Sequence, residues 1–570
     1  MTLIALVALA GLPLRAADEY VGSLACARCH RQIYLDYAKT DMGRSMSAGV
    51  PNDIPRQGIV HDEKLNRYFA VSQKPDGVYQ SEYATADGAE VFRNEQKIAY
   101  SIGAGRNGIS FLVDRGGFLL QTPLSYYSQT RSWGISPGFE GLDIAFNRPA
   151  LPACLSCHAG SPKPQAPGAG QYATPPFQEL NIGCENCHGP GGLHIAEREG
   201  RIRPTPSVKA GSAGQSTIVN PAKLSPWLAD NICMNCHQGR TLRILQPGKT
   251  FQDFRPGTPL HNSVAIFATP LTEAEAGASF TPLLEHYSLM TMSKCYTSSG
   301  GRLSCITCHD PHVQPEAEPV NYFRAKCLSC HQESSCALSL TSRRARVGGD
   351  NCVECHMPRT PVNGIAHSVL TNHRIVRNDA EPFPTALFNS SKPRVGGLIY
   401  LNAEPGQAAN LSDLTLFRAY TELASSKAEY LSEYVSLLHK VENEFPQAPE
   451  VLSGLGWLKM GSGQEKDAPQ AIEYLERAID SGTQRVEDYQ ALANLLTKAG
   501  QVEKAIAVLE RGAKIAPYDE RFYKSISLAY MSIHDYDNAL KVMRDTVKLF
   551  PEDDFMRSLL EKAEQANRMR

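Results

Sequence analysis

The rhythm of apolar and polar positions changes three times along the chain. A continuous apolar run from Leu3 to Leu14 is followed by small residues at Ala16 and Ala17. The run is too short to span a bilayer and predicts a secretory signal peptide over 1–17. The fit is imperfect, because no Lys or Arg precedes the run and Leu14 or Arg15 occupies the small-residue position before cleavage. From 18 to 378 sustained periodicity is scarce and Gly, Pro, Cys and His are frequent. Inside this stretch, 58–126 alternates in short β-branched and aromatic runs such as NRYFAV, GVYQSEYAT and ISFLVD, broken by Asp-Gly and Gly-Gly pairs. That pattern predicts a small insertion of strands and hairpins. Segments such as AGSPKPQAPGAGQYATPP and IRPTPSVKAGSAGQST predict loops.

Residues 379–410 predict a linker, and from 411 to 570 a helical period takes over. Alanines recur at Ala471, Ala505 and Ala539, and prolines at Pro517 and Pro551, each at a spacing of 34. A 34-residue period of paired helices marks tetratricopeptide repeats. One repeat runs from Val486 to Asp519, with Tyr489, Leu492, Ala493, Leu496, Ala505 and Leu509 at packing positions. The next uses Tyr523, Ile526, Tyr530, Ala539 and Met543. A preceding unit with Leu455, Gly456, Leu475 and Ala478 is degenerate: it carries a short insertion around GSGQEKDAP and Thr483 where the proline would fall. The stretch 553–568 predicts a capping helix. The predicted fold class is an α+β N-terminal domain with few regular elements and a small β insertion, followed by an all-α repeat solenoid.

At 570 residues the chain exceeds one hydrophobic core, so at least two domains follow. The apolar share of 42%, the charged share of 20% and the formal charge of −2 offer no basic surface for nucleic acid. Outside the opening run no stretch is apolar enough for a membrane span. All 16 cysteines fall between Cys26 and Cys355, so the chemistry is confined to 18–378.

Seven copies of Cys-x-x-Cys-His use fourteen of those cysteines: Cys26, Cys29, His30; Cys154, Cys157, His158; Cys184, Cys187, His188; Cys233, Cys236, His237; Cys305, Cys308, His309; Cys327, Cys330, His331; and Cys352, Cys355, His356. Two thiols three positions apart can add across the two vinyl groups of one haem, and the adjacent imidazole then reaches its iron. Chance predicts roughly 0.01 copies at this composition. A zinc knuckle or dithiol site competes for any single copy, but neither requires a His after every pair. The expected cofactors are therefore seven covalently bound c-type haems, with iron held by the seven motif histidines.

Seven further histidines lie between the first motif and Asn378: His61, His194, His261, His286, His312, His367 and His373. Imidazole on both faces would hold iron low-spin and suit electron transfer, whereas one open face would suit catalysis. Met42 and Met46 follow the first motif closely and are candidate thioether ligands. Cys295 and Cys336 belong to no motif and most simply form a disulfide in an oxidising compartment, with a thiolate ligand or free thiol as alternatives.

CENCHGPGGLH from Cys184, CITCHDPH from Cys305, EHYSLMTMSKC around His286 and AHSVLTNHRI with His367 and His373 resemble multihaem c-type cytochromes of the nitrite reductase and hydroxylamine oxidoreductase superfamily. They resemble more closely cytochromes c-552/4 with a doubled Cys-x-x-Cys-His motif and C-terminal tetratricopeptide repeats. The resemblance covers roughly 18–378 plus the repeats. It implies that His194, His286, His312, His367 and His373 are distal ligands, often to a haem other than the nearest in sequence. His61 joins the candidate iron ligands from its place in a predicted strand, and His261 is a weaker one outside any pattern.

These readings predict a periplasmic or extracellular carrier that relays electrons between redox partner proteins, with the repeats docking a partner protein. The alternative is a reductase or oxidoreductase of a small nitrogen or sulfur compound at one open-faced haem. Reductases of the superfamily often mark that haem with Lys in place of the proximal His, and here all seven motifs end in His. An electron carrier is thus favoured over an enzyme, and no catalytic residue is assigned. Two propionates per haem would make the loaded protein more acidic than −2 and favour basic partners.

Overall fold

The computed structural model describes residues 19–165, 170–202, 217–238, 242–272, 286–314, 319–346, 349–359, 371–378, 380–390, 392–407 and 411–569. Among them the predicted β insertion is one curled antiparallel sheet of ten strands, wider than the sequence pattern indicates. Its strands are β1 Met46–Ala48, β2 Gly58–Asp62, β3 Arg67–Lys74, β4 Gly77–Ala86, β5 Ala89–Ile102, β6 Gly108–Arg115, β7 Phe118–Gln121, β8 Leu124–Tyr127, β9 Ser132–Ile135 and β10 Arg148–Pro149. The main path runs β10-β7-β6-β5-β4-β3-β2, and β8 and β1 branch from β6 and β5. Register is set by tight turns. Asp87-Gly88 and Gly116-Gly117 all take positive φ, the conformation that matches hairpin twist and that Gly and Asp tolerate best.

Phe69, Val71, Val78, Ile98, Phe111 and Leu124 fill the space inside the curl. Gln80, fully buried beside them, both donates to the Leu124 carbonyl and accepts from its N–H, at 3.0 Å each. Its amide stands in for a peptide group and stitches β4 to β8.

The expected linker is woven into structure. Strands at Arg394–Val395 and Leu398–Tyr400 join Leu242–Leu245 and Val264–Ala268 in a second antiparallel sheet. Asn402, with no exposed surface, accepts from Ile266 N–H and donates to the Val264 carbonyl. Leu398 and Tyr400 share a core with Leu416 and Tyr420 of the first long helix, Asp413–Ser426. The boundary predicted near 411 is therefore packed shut.

Helices from Asp413 to Met569 form antiparallel pairs closed by a last helix, Asp554–Met569. One pair, Asp413–Ser426 with Leu431–Glu444, precedes the units recognised by period. Thr483 shows how the degenerate unit replaces its proline: its hydroxyl donates to buried Asp488, which also accepts from Ser453 and Trp457. At Gly512 a Cβ would lie 2.2 Å from Phe522, so the repeat core closes only over glycine.

The far end of the repeats docks on the large sheet, on the face that also carries Phe69 and Val71. Glu552, 3% exposed, accepts from Asn94 and Asn147 at 2.9 Å each. Arg67 donates to the Glu552 carbonyl and to Asp554, and lies 3.5 Å from Glu82. Tyr518 packs against Val113, Leu120 and Phe146 and donates to the Arg115 carbonyl. Burial pushes the Glu82, Asp143 and Glu552 carboxyls above their ordinary range, with mutual repulsion adding to it.

A raised carboxyl binds its proton more tightly folded than unfolded, so its contribution is complete below the ordinary carboxyl range and is lost as pH rises through the raised values. Urea melts should show the docked form more stable at pH 5 than at pH 8. Arg67→Ala should cost about 3 kcal/mol or more by leaving buried carboxylates without their cation, and should steepen that dependence. Gly512→Ala should cost about 1–3 kcal/mol through overpacking, whereas Gly461→Ala, whose Cβ meets open space, should be neutral or stabilising in the same thermal melts.

Candidate functional site

Cysteine at i, cysteine at i+3 and histidine at i+4 lie on one face of a helical turn. The fold uses that geometry: His30, His188, His309 and His331 each donate their backbone N–H to the carbonyl of the first cysteine of their motif. Five motifs sit on single short turns and the fourth and sixth close longer helices, and the motifs depend on one another. Glu185, inside the third motif, accepts from Val21, Gly22 and Gly191 N–H at 2.9, 2.7 and 2.7 Å. Ser23 donates to Glu179 and accepts from Cys184 N–H. Together they lash the first motif to the third.

The second motif meets the fourth where the Cys157 thiol reaches the Asn235 carbonyl at 3.7 Å. The fourth sits on the helix Pro226–His237, whose buried Asp230 accepts from Cys305 N–H of the fifth at 2.9 Å. The helix Pro319–Leu328, which carries Cys327, packs between the helices of the fifth and seventh motifs. Thiols pair across these junctions: Cys26 with Cys184, Cys157 with Cys236, Cys233 with Cys305, and Cys327 with Cys352. In the first two pairs one S–H supports the other thiolate, bringing Cys184 down to about 7 and Cys157 to about 6. Burial pushes the Asp230 carboxyl up to about 6.

One continuous cavity of about 3130 Å³ is lined by residues of the second to seventh motifs, by His286 and His373, and by Arg418, Glu422 and Glu450 of the repeat helices. That is several times the volume of a pocket for one small molecule. Imidazoles meet in pairs around it. His188 and His312 have ring centroids 6.0 Å apart with planes 13° from parallel, and His309 and His373 lie 6.2 Å apart at 27°. His237 lies 5.3 Å from His286. A histidine nitrogen sits about 2 Å from a transition metal, so two imidazoles on opposite faces of one iron have centroids about 6 Å apart. The first two pairs match that spacing, and the third needs to open slightly.

Nδ1 of His188, His356 and His373 faces the carbonyls of Val219, Val376 and Thr371 at 2.7–2.9 Å. Such a bond leaves Nε2 as the free ligand atom. Burial holds His237 down to about 4 and His373 to about 3, keeping both in the neutral, ligating form. Among the described residues no three His, Cys, Asp or Glu side chains converge as a tetrahedral metal site would need. The paired imidazoles suit a flat cofactor held from two faces.

His194 lies close enough to His30 for their charges to oppose. His61 is not brought to the others: it is exposed on β2, stacked on Tyr68 at 4.3 Å. His261 stands beside Trp227 with Nδ1 facing the Asn402 carbonyl, and His367 lies outside the described residues. Met46 is packed among Leu112, Leu155 and Tyr172, which removes it as a ligand, while Met42 lines the cavity. The expected Cys295–Cys336 disulfide is not formed. Cys295 neighbours Cys308 and Cys330 instead, and Cys336 hydrogen bonds with Arg343. Glu185 and Asp230 went unnoticed in the sequence, since motif spacing treats the intervening positions as interchangeable.

A helical-repeat region and a cysteine-histidine cavity define the class, and family comparison adds to it. The family described as cytochrome c554 and c-prime matches residues 140–189, across the second and third motifs, and suggests covalently bound c-type haem. The tetratricopeptide repeat family matches 464–527 and suggests protein docking. No curated protein matches the chain. Among solved structures, MamA 41-end from Desulfovibrio magneticus RS-1 is similar at 21% identity, over 28% of this chain and 88% of that one, with a TM-score of 0.24. YrrB, described as a repeat protein with an unusual peptide-binding site, is similar at 15% identity over 28% and 79%, with a TM-score of 0.24. Yeast Tom70 follows at 19% over 27% and 34%, with a TM-score of 0.23. Among the described residues no helix is long and apolar enough to cross a membrane.

Glu185→Ala should strand three backbone donors, at a cost of about 3 kcal/mol or more. Limited proteolysis should then cut between residues 19 and 30 first, at protease levels that leave the parent chain intact there.

Proposed function

We propose that this chain is a multihaem cytochrome of the periplasm or cell exterior, carrying seven covalent haems and relaying electrons between redox partners while its repeats dock a partner protein. The observation that carries the reading is the cavity in which motifs distant in sequence converge, lined by the His309–His373 pair at 6.2 Å, together with the His188–His312 pair at 6.0 Å. When bound, each haem supplies a one-electron couple. The chain's own part would be to offer imidazoles to both faces of the irons at the third, fourth and fifth motifs and to fix imidazole tautomers through backbone carbonyls. In this reading His188 pairs with His312, His309 with His373 and His237 with His286, so the residues trailing the fifth motif serve the third. The apolar Leu3–Leu14 run supports export.

A second reading, a reductase or oxidoreductase of a small nitrogen or sulfur compound, attaches to the sixth or seventh motif. Among the described residues no histidine ring stacks against His331 or His356 within ring-contact distance. Low-temperature electron paramagnetic resonance on the oxidised holoprotein, with haem counted by pyridine haemochrome, separates the two. Seven haems, all low-spin, are expected. A stoichiometric high-spin signal would move the assignment to the enzyme, and fewer than seven haems would overturn the count. His312→Ala and His373→Ala should each convert one haem to high-spin while leaving the haem number unchanged.

A further inference from the structure

The motifs differ in how they meet solvent. Around the sixth, Cys330 and His331 are exposed, and so is most of the segment from Ser329 to Arg346 that follows. The cavity is lined there by Cys330, His331 and Arg343, so it opens at this surface. Beneath the segment lies a rigid base. Arg324 and Arg343 each bridge Glu333 and Asp350, which pins the residues after the sixth motif to those before the seventh.

Both carboxylates are consumed by that base. Among the described residues neither Arg344 nor Arg346 forms an ion pair, and both are exposed. In the same segment Leu338 and Leu340 are 39% and 42% exposed. Exposed leucines beside arginines without an ion pair are the composition of a protein interface, and this local positive charge, set against the acidity that haem propionates would give the rest of the protein, steers an acidic partner into place. The first motif is also exposed and has apolar neighbours in Leu24 and Ile33. Its cations are largely matched there: Arg28 by Glu199, Lys39 by Asp36, and Arg44 and Arg106 by Asp41.

We propose that the surface formed by Leu338, Leu340, Arg344 and Arg346 is the port at which an acidic electron-transfer protein docks and exchanges one electron with the chain at the sixth motif. The inference rests on the relay reading. One electron passes from the reduced partner to a ferric haem, the partner is oxidised by one electron, and no bond or proton is transferred.

The test uses full-length holoprotein and reduced flavodoxin, an acidic one-electron donor, in stopped flow. Arg344→Glu with Arg346→Glu should lower the bimolecular rate about tenfold or more at low ionic strength and reverse its salt dependence. Arg28→Glu with Arg31→Glu, at the first motif, should change the rate less than twofold. A port variant that keeps the parent rate and salt dependence overturns the proposal, as does a larger loss in the first-motif variant. Haem counts and redox titrations of each variant accompany the rates. A stoichiometric high-spin signal in the parent protein refutes the relay reading itself, whereas low-spin haems with an unaltered rate in the port variant refute only the port.

Discussion

Everything in the N-terminal part depends on a helical turn too short to stand alone. Cys, Cys and His at i, i+3 and i+4 need one turn to share a face, and a turn closed by one or two backbone bonds lies below the length at which helices are stable in water. Such turns persist only when something outside them holds their ends. In this chain the holders are other motifs: Glu185 grips the first from within the third, and Asp230 grips the fifth from the helix of the fourth. Mutual support of this kind forces the motifs together. The second to seventh motifs therefore line one cavity rather than six separate ones.

The same constraint explains what was legible in the sequence. Local periods survive translation into structure, so the alternating run around RYFAV became β3 and the 34-residue period became paired helices. Burial at Tyr489, Leu492, Ala505 and Leu509 follows directly from positions chosen by spacing. Long-range pairings left no such trace. That His312, three residues past His309, turns to His188 depends on how the fifth motif packs against the third and fourth. The linker misled for a related reason: Leu398–Tyr400 is a strand only because Val264–Ala268, more than a hundred residues earlier, offers an edge to pair with.

Histidines were the hardest residues to sort, because a ligand and a packing residue look alike in one dimension. His61 and His373 both sit among apolar and polar neighbours in sequence, yet one stacks on Tyr68 at a sheet edge and the other is buried between His286 and His309. Burial separates them physically. An imidazole withdrawn from water loses its proton and keeps a lone pair for a metal.

The repeat solenoid is tied to the rest of the chain at both ends. Its first helices line the cavity through Arg418, Glu422 and Glu450, and its last turn is fastened to the large sheet by Glu552 and Arg67. A solenoid transmits strain only between neighbouring repeats. A ligand drawn into its concave face must therefore either leave the curvature unchanged or pull on one of these two anchors. The sheet anchor is a buried carboxylate cluster around Arg67, with Lys524 and Arg557 paired at its edge, and the cavity anchor is a packed core shared through Leu416 and Tyr420. Charged contacts of that kind lose strength as their protons leave, and apolar packing does not. Rising pH therefore loosens the sheet anchor and leaves the packed core beside the cavity in place.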